Sequence, residues 1–280
     1  MPRIIVFAVP FFLATVLLES LYSSWRRMRL YERRDTFASL AMGTGNLVLG
    51  LAFKGVQLGV YTLVWQHRLF DLPAHAWWVW LALLFADDFC YYWVHRFNHR
   101  VRLGWAGHVN HHSSRHFNLS TALRQSWTTL FISPWFYLPL ALLGFPPLMI
   151  LAMQSLNLLY QYWIHTETVH RMGPLEWVLN TPSHHRVHHG ANPQYIDRNY
   201  AGIFILWDRL FGTFEPEREP VRYGLTRNIG TFNPLRIAFH EWRDLFRDIS
   251  GTRRLRHALG YLVMPPGWSP RYRQETGAGE

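Results

Sequence analysis

Residues Trp77–His112 read WWVWLALLFADDFCYYWVHRFNHRVRLGWAGHVNHH. As far as Val94 this is an apolar run of bilayer length, roughly the 17–25 residues a transmembrane helix needs. It then passes without a break into two histidine patterns, His95-Arg-Phe-Asn-His99 and His108-Val-Asn-His111-His112. Positions i and i+4 share one helix face, and so largely do i, i+3 and i+4. Each pattern therefore aims several imidazoles at one place, at the end of a helix that favours lipid.

Four further apolar stretches flank this one: Ile4–Leu18, Phe37–Trp65, Trp127–Phe145 and Leu148–Ile164. With Ala76–Val94 they predict an all-α polytopic membrane helix bundle of about four or five spans. Glu19 and Tyr22 follow the first stretch where a signal peptide would need small residues, so it reads as a retained helix. Aromatics make up 16% of the 280 residues and charged residues also only 16%, which fits membrane burial better than a soluble enzyme. The single cysteine, Cys90, excludes a disulfide scaffold and a thiolate zinc site. Gly45, Gly50, Gly55 and Gly59 suggest small faces for close helix contact. Lys54 and Gln57 interrupt the same span and read as snorkelling or interhelical hydrogen bonding.

The net charge is +10, and Lys54 is the only lysine among 28 basic residues. The arginines cluster at span ends, at Arg26–Arg34 and Arg96–Arg124. By the positive-inside rule both clusters and the C-terminal third lie in the cytoplasm. Scattered in this way, they argue against a nucleic-acid surface. Arginine dominance suggests a GC-rich genome and hence a bacterial inner membrane. The coarse organisation is N-terminal membrane helices over 1–82, hairpins carrying the histidines over 83–215, a cytoplasmic or interfacial helical region over 216–264 and a loose tail over 265–280. Ser183 reads as a helix N-cap. Leu235, Ala238, Phe239, Trp242, Leu245, Phe246 and Ile249 recur at helical spacing and predict an amphipathic helix over 234–249, either on the membrane surface or packed on the cytoplasmic cap.

Of 16 histidines, 12 fall between His95 and His189. A third pattern, His185-Arg-Val-His188-His189, repeats the second, and Gln161 stands four residues before His165. A lone histidine on an apolar face is usually a core residue; this repetition points to a metal. Nine imidazoles exceed the three or four ligands of one zinc and suffice for a dimetal site. Imidazole suits Fe, Cu, Zn and Ni alike, so the metal stays open on ligand type. Attack on an unactivated lipid C–H bond needs a redox metal and oxygen.

The motifs H-x-x-x-H, H-x-x-H-H, Q-x-x-x-H and H-x-x-H-H, in this order around hydrophobic hairpins, resemble the fatty acid hydroxylase/sterol desaturase superfamily of membrane di-iron oxygenases. The segments Asp88–Arg96, His111–Ser114, Asn118–Ser126, Leu159–Glu167, Asn180–Gly190, Asp197–Ile203 and Asp208–Phe214 are similar to alkylglycerol monooxygenase-like members. The resemblance covers roughly Leu83 to Phe214. It implies two Fe ions held by His95, His99, His108, His111, His112, His165, His185, His188 and His189. It gives Gln161 the role of a weak ligand or of a group orienting a water or imidazole. Asp88 either fixes the tautomer of a ligating histidine, caps the helix end or pairs with Arg96. Asn118, Arg124 and Asn199 are candidates for supporting the ligands or binding a lipid head group. His116, His170 and His184 lie off the pattern.

The implied reaction is O2-dependent oxidation of a membrane lipid: hydroxylation, with the ether-linked carbon of alkylglycerols among its positions, or loss of two hydrogens, which would make the chain a desaturase. No ferredoxin-like cysteine set or nucleotide fingerprint is present, so electrons come from a separate donor or a tetrahydropterin. Two departures stand out: Arg100 and Arg115 occupy positions where alkylglycerol monooxygenase-like chains commonly carry Glu. The other classes compatible with the residues are a membrane zinc hydrolase and a metal-binding non-enzyme. Against the hydrolase stands the lack of an H-E-x-x-H helix.

Overall fold

The computed structural model describes residues 2–270, with side chains from Val9 onward. Residues 271–280, most of the expected tail, lie outside the described residues. Among the described residues eleven α-helices follow in order: α1 Pro2–Trp25, α2 Arg33–Trp65, α3 Trp77–Arg100, α4 Arg102–His112, α5 Leu119–Ala122, α6 Leu138–Leu143, α7 Pro147–Trp163, α8 Pro182–His188, α9 Leu206–Leu210, α10 Pro234–Ser250 and α11 Leu255–Val263. Short 3-10 turns occupy Thr129–Phe131, Ser133–Tyr137 and Gly173–Trp177. The described residues contain no β-strand, only two isolated bridges, Leu179 with Phe204 and Gly190 with Tyr223.

The long helices follow the apolar stretches. Among the described residues α2 is the one helix long and apolar enough to cross a membrane. The expected fourth span is not one helix. Pro134 and Pro139 each lack the amide proton an α-helix interior needs, and the chain runs there as two 3-10 turns and the six-residue α6. It turns into α7 through Gly144 at φ +109°, where a Cβ would stand 2.0 Å from the Phe70 carbonyl oxygen. The Gly144 carbonyl also accepts a hydrogen bond from Trp65 Nε1.

The apolar core joins α2, α3, α6 and α7 through Tyr61, Val79, Leu83, Leu140 and Ile150. The outer faces carry exposed large apolar side chains, among them Leu17, Val56, Leu63, Trp77, Leu81 and Leu158. Gln57 bonds Tyr61 and Gln154, so it links α2 to α7. Gly45 meets Trp127, but Gly50, Gly55 and Gly59 face open space, so only the first makes the expected close contact.

Helices α10 and α11 pack on α4, which packs on α3, and the three form a helical cap. The amphipathic helix is α10. Its Ile237, Ala238 and Leu245 are buried, and Glu241 and Asp248 both pair with Arg102 of α4 at 2.8 Å. Leu235 and Phe246, each 61% exposed, lie on its free side. Ser183 is not a cap. Thr181 holds the N-cap position of α8, and the Ser183 hydroxyl donates to Glu176.

Candidate metal centre

The end of α3, the length of α4, the segment after α7 and α8 bring all nine patterned histidines together. They form two adjacent groups: His95, His99, His108, His112 and His188, and His111, His165, His185 and His189. Within each group the candidate donor atoms lie within 4.8 Å of one another. All nine belong to buried or half-buried residues. His116, His170 and His184 belong to neither group.

Backbone carbonyls fix four of the rings. His95 Nδ1 faces the Tyr200 carbonyl at 2.8 Å, His111 Nδ1 that of Arg124 at 3.3 Å, His165 Nδ1 that of Gln161 at 2.7 Å and His188 Nδ1 that of Arg198 at 2.9 Å. A carbonyl only accepts, so each of these Nδ1 atoms carries the proton and each Nε2 is a bare lone pair. His165 Nε2 and His111 Nε2 nevertheless stand 3.2 Å apart. Two lone pairs at that distance repel unless a cation lies against both. His95 and His108 approach through Nε2 at 3.0 Å, as do His185 and His165. Nitrogens bound to one ion at about 2.0–2.1 Å stand about 3 Å apart at right angles. His99, His188 and His189 leave Nε2 buried with no protein partner. The donor set therefore fits metal.

The carbonyl-bearing segments are themselves anchored by buried acids. Asp88, on α3, accepts from the amides of Ile203 and Phe204 at 2.7 and 2.9 Å, from Trp207 Nε1 and from Asn157. It makes no hydrogen bond to a histidine or to Arg96, so its role is to staple the 200–204 segment, and with it the Tyr200 carbonyl, onto α3. Asp208 completes that clamp by accepting from the Tyr200 and Ala201 amides, both at 2.8 Å, and from Thr213. Burial raises the Asp208 carboxyl to about 6. Gln161 serves His165 through its backbone carbonyl; its side chain bonds Asn157.

The three head-group candidates are committed to the protein. Arg124 is 1% exposed and pairs with Asp35 of α2 at 2.5 Å, with Ser39 and Ser113 as further partners. Asn118 caps α5, accepting from the Ser120 amide and donating to the Leu30 carbonyl. Asn199 adopts φ +54° and bonds the backbone of His184 and Glu215. Sequence reasoning did not single out Asp35 or Arg186, and it took Asp197 only as part of a matched segment. Arg186 binds Glu217 through two nitrogens and donates to the Thr166 and Val169 carbonyls, locking α8 to the segment after α7. Asp197 lies 3.7 Å from His99 Nδ1 and pairs with Arg100 at 2.9 Å. Arg115 is exposed.

Two cavities reach the histidines. One of about 420 Å³ lies among α2, α3 and α7 and ends on His95 and His108. The other, about 1610 Å³, lies against α4, α10 and α11 and ends on His99, His112, His188 and His189.

A helical chain that gathers nine imidazoles at the end of apolar helices is, by fold and site, a histidine-cluster protein with a donor set suited to metal. The fatty acid hydroxylase family model matches residues 80–213. The chain is 45% identical over 266 residues to the alkylglycerol monooxygenase of Homo sapiens, covering 94% of this chain and 59% of that protein. It is 32% identical over 141 residues to the ornithine lipid hydroxylase OlsE of Rhizobium tropici, covering 50% and 42%. It is 30% identical over 230 residues to a cholesterol 25-hydroxylase-like protein of Danio rerio, covering 75% and 86%. No solved structure matches the chain. The chain belongs to the fatty acid hydroxylase family. It spans about three fifths of the length of the vertebrate alkylglycerol monooxygenases it matches.

Proposed function

We propose that this chain is an integral-membrane, O2-dependent lipid monooxygenase with two iron ions, one in each histidine group. The observation that carries the reading is the pair of converging imidazole groups, one of them open to a cavity between apolar helices. The named activities of the relatives, lipid hydroxylation and monooxygenation, agree with it. In this reading α1 to α3 and the α6–α7 hairpin enter the bilayer, and the histidine groups and the helical region over 216–264 lie on the arginine-rich, cytoplasmic side. A bacterial inner membrane rests on arginine usage alone, and the animal sources of the alkylglycerol monooxygenases it matches lend it no support.

Bound iron supplies the oxygen and electron chemistry. The protein holds the lipid chain in the smaller cavity, keeps the rings neutral by burial, fixes four of them through their Nδ1 protons, and excludes bulk water. Insertion of one oxygen atom at the carbon beside an ether oxygen gives a hemiacetal, which collapses to an aldehyde and glycerol. The second oxygen atom leaves as water, with two electrons from a separate donor or a tetrahydropterin. The 45% identity to an alkylglycerol monooxygenase favours this substrate over a sterol or fatty acyl chain.

Comparative lipid mass spectrometry tests the reading. Wild type and a His188→Ala/His189→Ala variant are expressed in one aerobic, iron-supplied host fed alkylglycerol and a pterin source. Loss of the glycerol ether with new fatty aldehyde or acid, in the wild type only, is the expected result. A lipid gaining one oxygen elsewhere would replace the substrate, one losing two hydrogens would make the chain a desaturase, and turnover without O2 would overturn the oxygenase reading.

A further inference from the structure

Asn98 sits on α3 between two histidines of one group and is 4% exposed. Its Oδ1 is buried without a partner, and no described residue hydrogen-bonds its Nδ2. A buried amide oxygen left unpaired is costly, and native proteins rarely tolerate it without a use. Asn98 also lines the smaller cavity, together with His95, His108, Leu47, Leu51 and Val94. An aliphatic chain suits those walls. An amide offers one donor and one acceptor face, which a hydroxyl group matches with its own acceptor and donor.

We propose that Asn98 is a substrate-binding residue that sets specificity, hydrogen-bonding a hydroxyl of the lipid held in this cavity next to the carbon presented to His95 and His108. The inference rests on the lipid-oxidising reading for its chemistry but not for its binding prediction. The ligand class is a single-chain amphiphile carrying a hydroxyl near the oxidised carbon.

The test uses the full chain in lipid nanodiscs with 1-O-hexadecylglycerol and its di-O-methyl ether. Binding of each lipid to metal-free protein is measured by native mass spectrometry, and kcat and KM are measured on the iron-loaded protein. Wild type should bind the hydroxylated lipid about ten- to a hundredfold more tightly, the range expected when a buried polar group loses its partner. The preference should appear in KM rather than kcat. Asn98→Leu should abolish it with iron content unchanged, and Asn98→Asp, which keeps an acceptor oxygen, should retain most of it. Equal binding of the two lipids by wild type would overturn the proposal whatever the chemistry, and needs no variant to fold. A preference that survives in a folded Asn98→Leu protein would overturn the assignment to Asn98. A binding preference with no oxidation of either lipid would uphold the site and sink the oxidation chemistry.

Discussion

At the residue scale, the centre works by fixing protons away from the donor atoms. Each Nδ1 that meets a carbonyl leaves its Nε2 free, and the carbonyls come from Gln161, Arg124, Arg198 and Tyr200. The two groups should therefore fail separately. His165→Ala, in the four-histidine group, should lower bound iron from about two ions per chain to about one, read by elemental analysis. Turnover should fall at least a hundredfold, a loss that changes at mere outer partners of ligands can already reach. His184→Ala, one residue from a group but outside it, should leave the iron content unchanged.

Burial, followed by the neighbouring rings, holds His108, His112, His185 and His189 well below the ordinary histidine range, and His111 near 4. In the unfolded chain these rings take up protons near 6.5. Between about pH 6.5 and 4 the unfolded state of the metal-free protein thus binds more protons than the folded state, and stability rises with pH. Its thermal midpoint should be highest above 6.5 and fall steadily as pH drops towards 4. A midpoint flat across that window would show that the rings are already charged in the fold.

At the element scale, helix-spaced histidines and apolar runs were legible because both are local patterns. The first signal places His95 and His99 on one face of α3, and the second sets α2 and α7 nearly to their observed ends. The broken fourth span was legible in principle, through Pro134 and Pro139, but mean hydropathy is blind to a missing amide proton. Asp88, Asn118, Arg124 and Asn199 were picked out by the sequence and are all buried near the site. Most of their roles were not readable, because key partners are remote in the chain: Asp88 meets Ile203, Arg124 meets Asp35 and Asn118, besides its local cap, meets Leu30. The glycines of α2 show the same limit. A Cβ on Gly43 would lie 2.6 Å from the Leu123 carbonyl oxygen, whereas one on Gly55 meets nothing within 4 Å. Gly43→Ala should cost about 1–3 kcal/mol by overpacking α2 against the segment that carries Arg124. Gly55→Ala should be neutral or gain up to ~1 kcal/mol of helix propensity. Thermal melts of the two variants in detergent check the contrast, and equal effects would mean that α2 sits differently against the cap.

At the scale of the whole molecule, the two cavities give the centre two faces. The smaller one opens among α2, α3 and α7 and reaches His95 and His108. The larger is bordered by Arg236, Arg243, Asp244 and Arg247 of α10 and reaches His99, His112, His188 and His189. Apolar walls suit a lipid chain, and charged walls suit a water-soluble reductant, so the proposed reaction divides between them. That division has a kinetic signature. Leu51→Trp narrows the smaller cavity and should raise KM for lipid several-fold, leaving the KM for the reductant unchanged. Ala191→Trp, on the wall of the larger cavity, should do the reverse. Steady-state rates with each reactant varied in turn separate the two. If both variants raised the same KM, lipid and reductant would have to share one entrance, and the second cavity would have no part in the reaction.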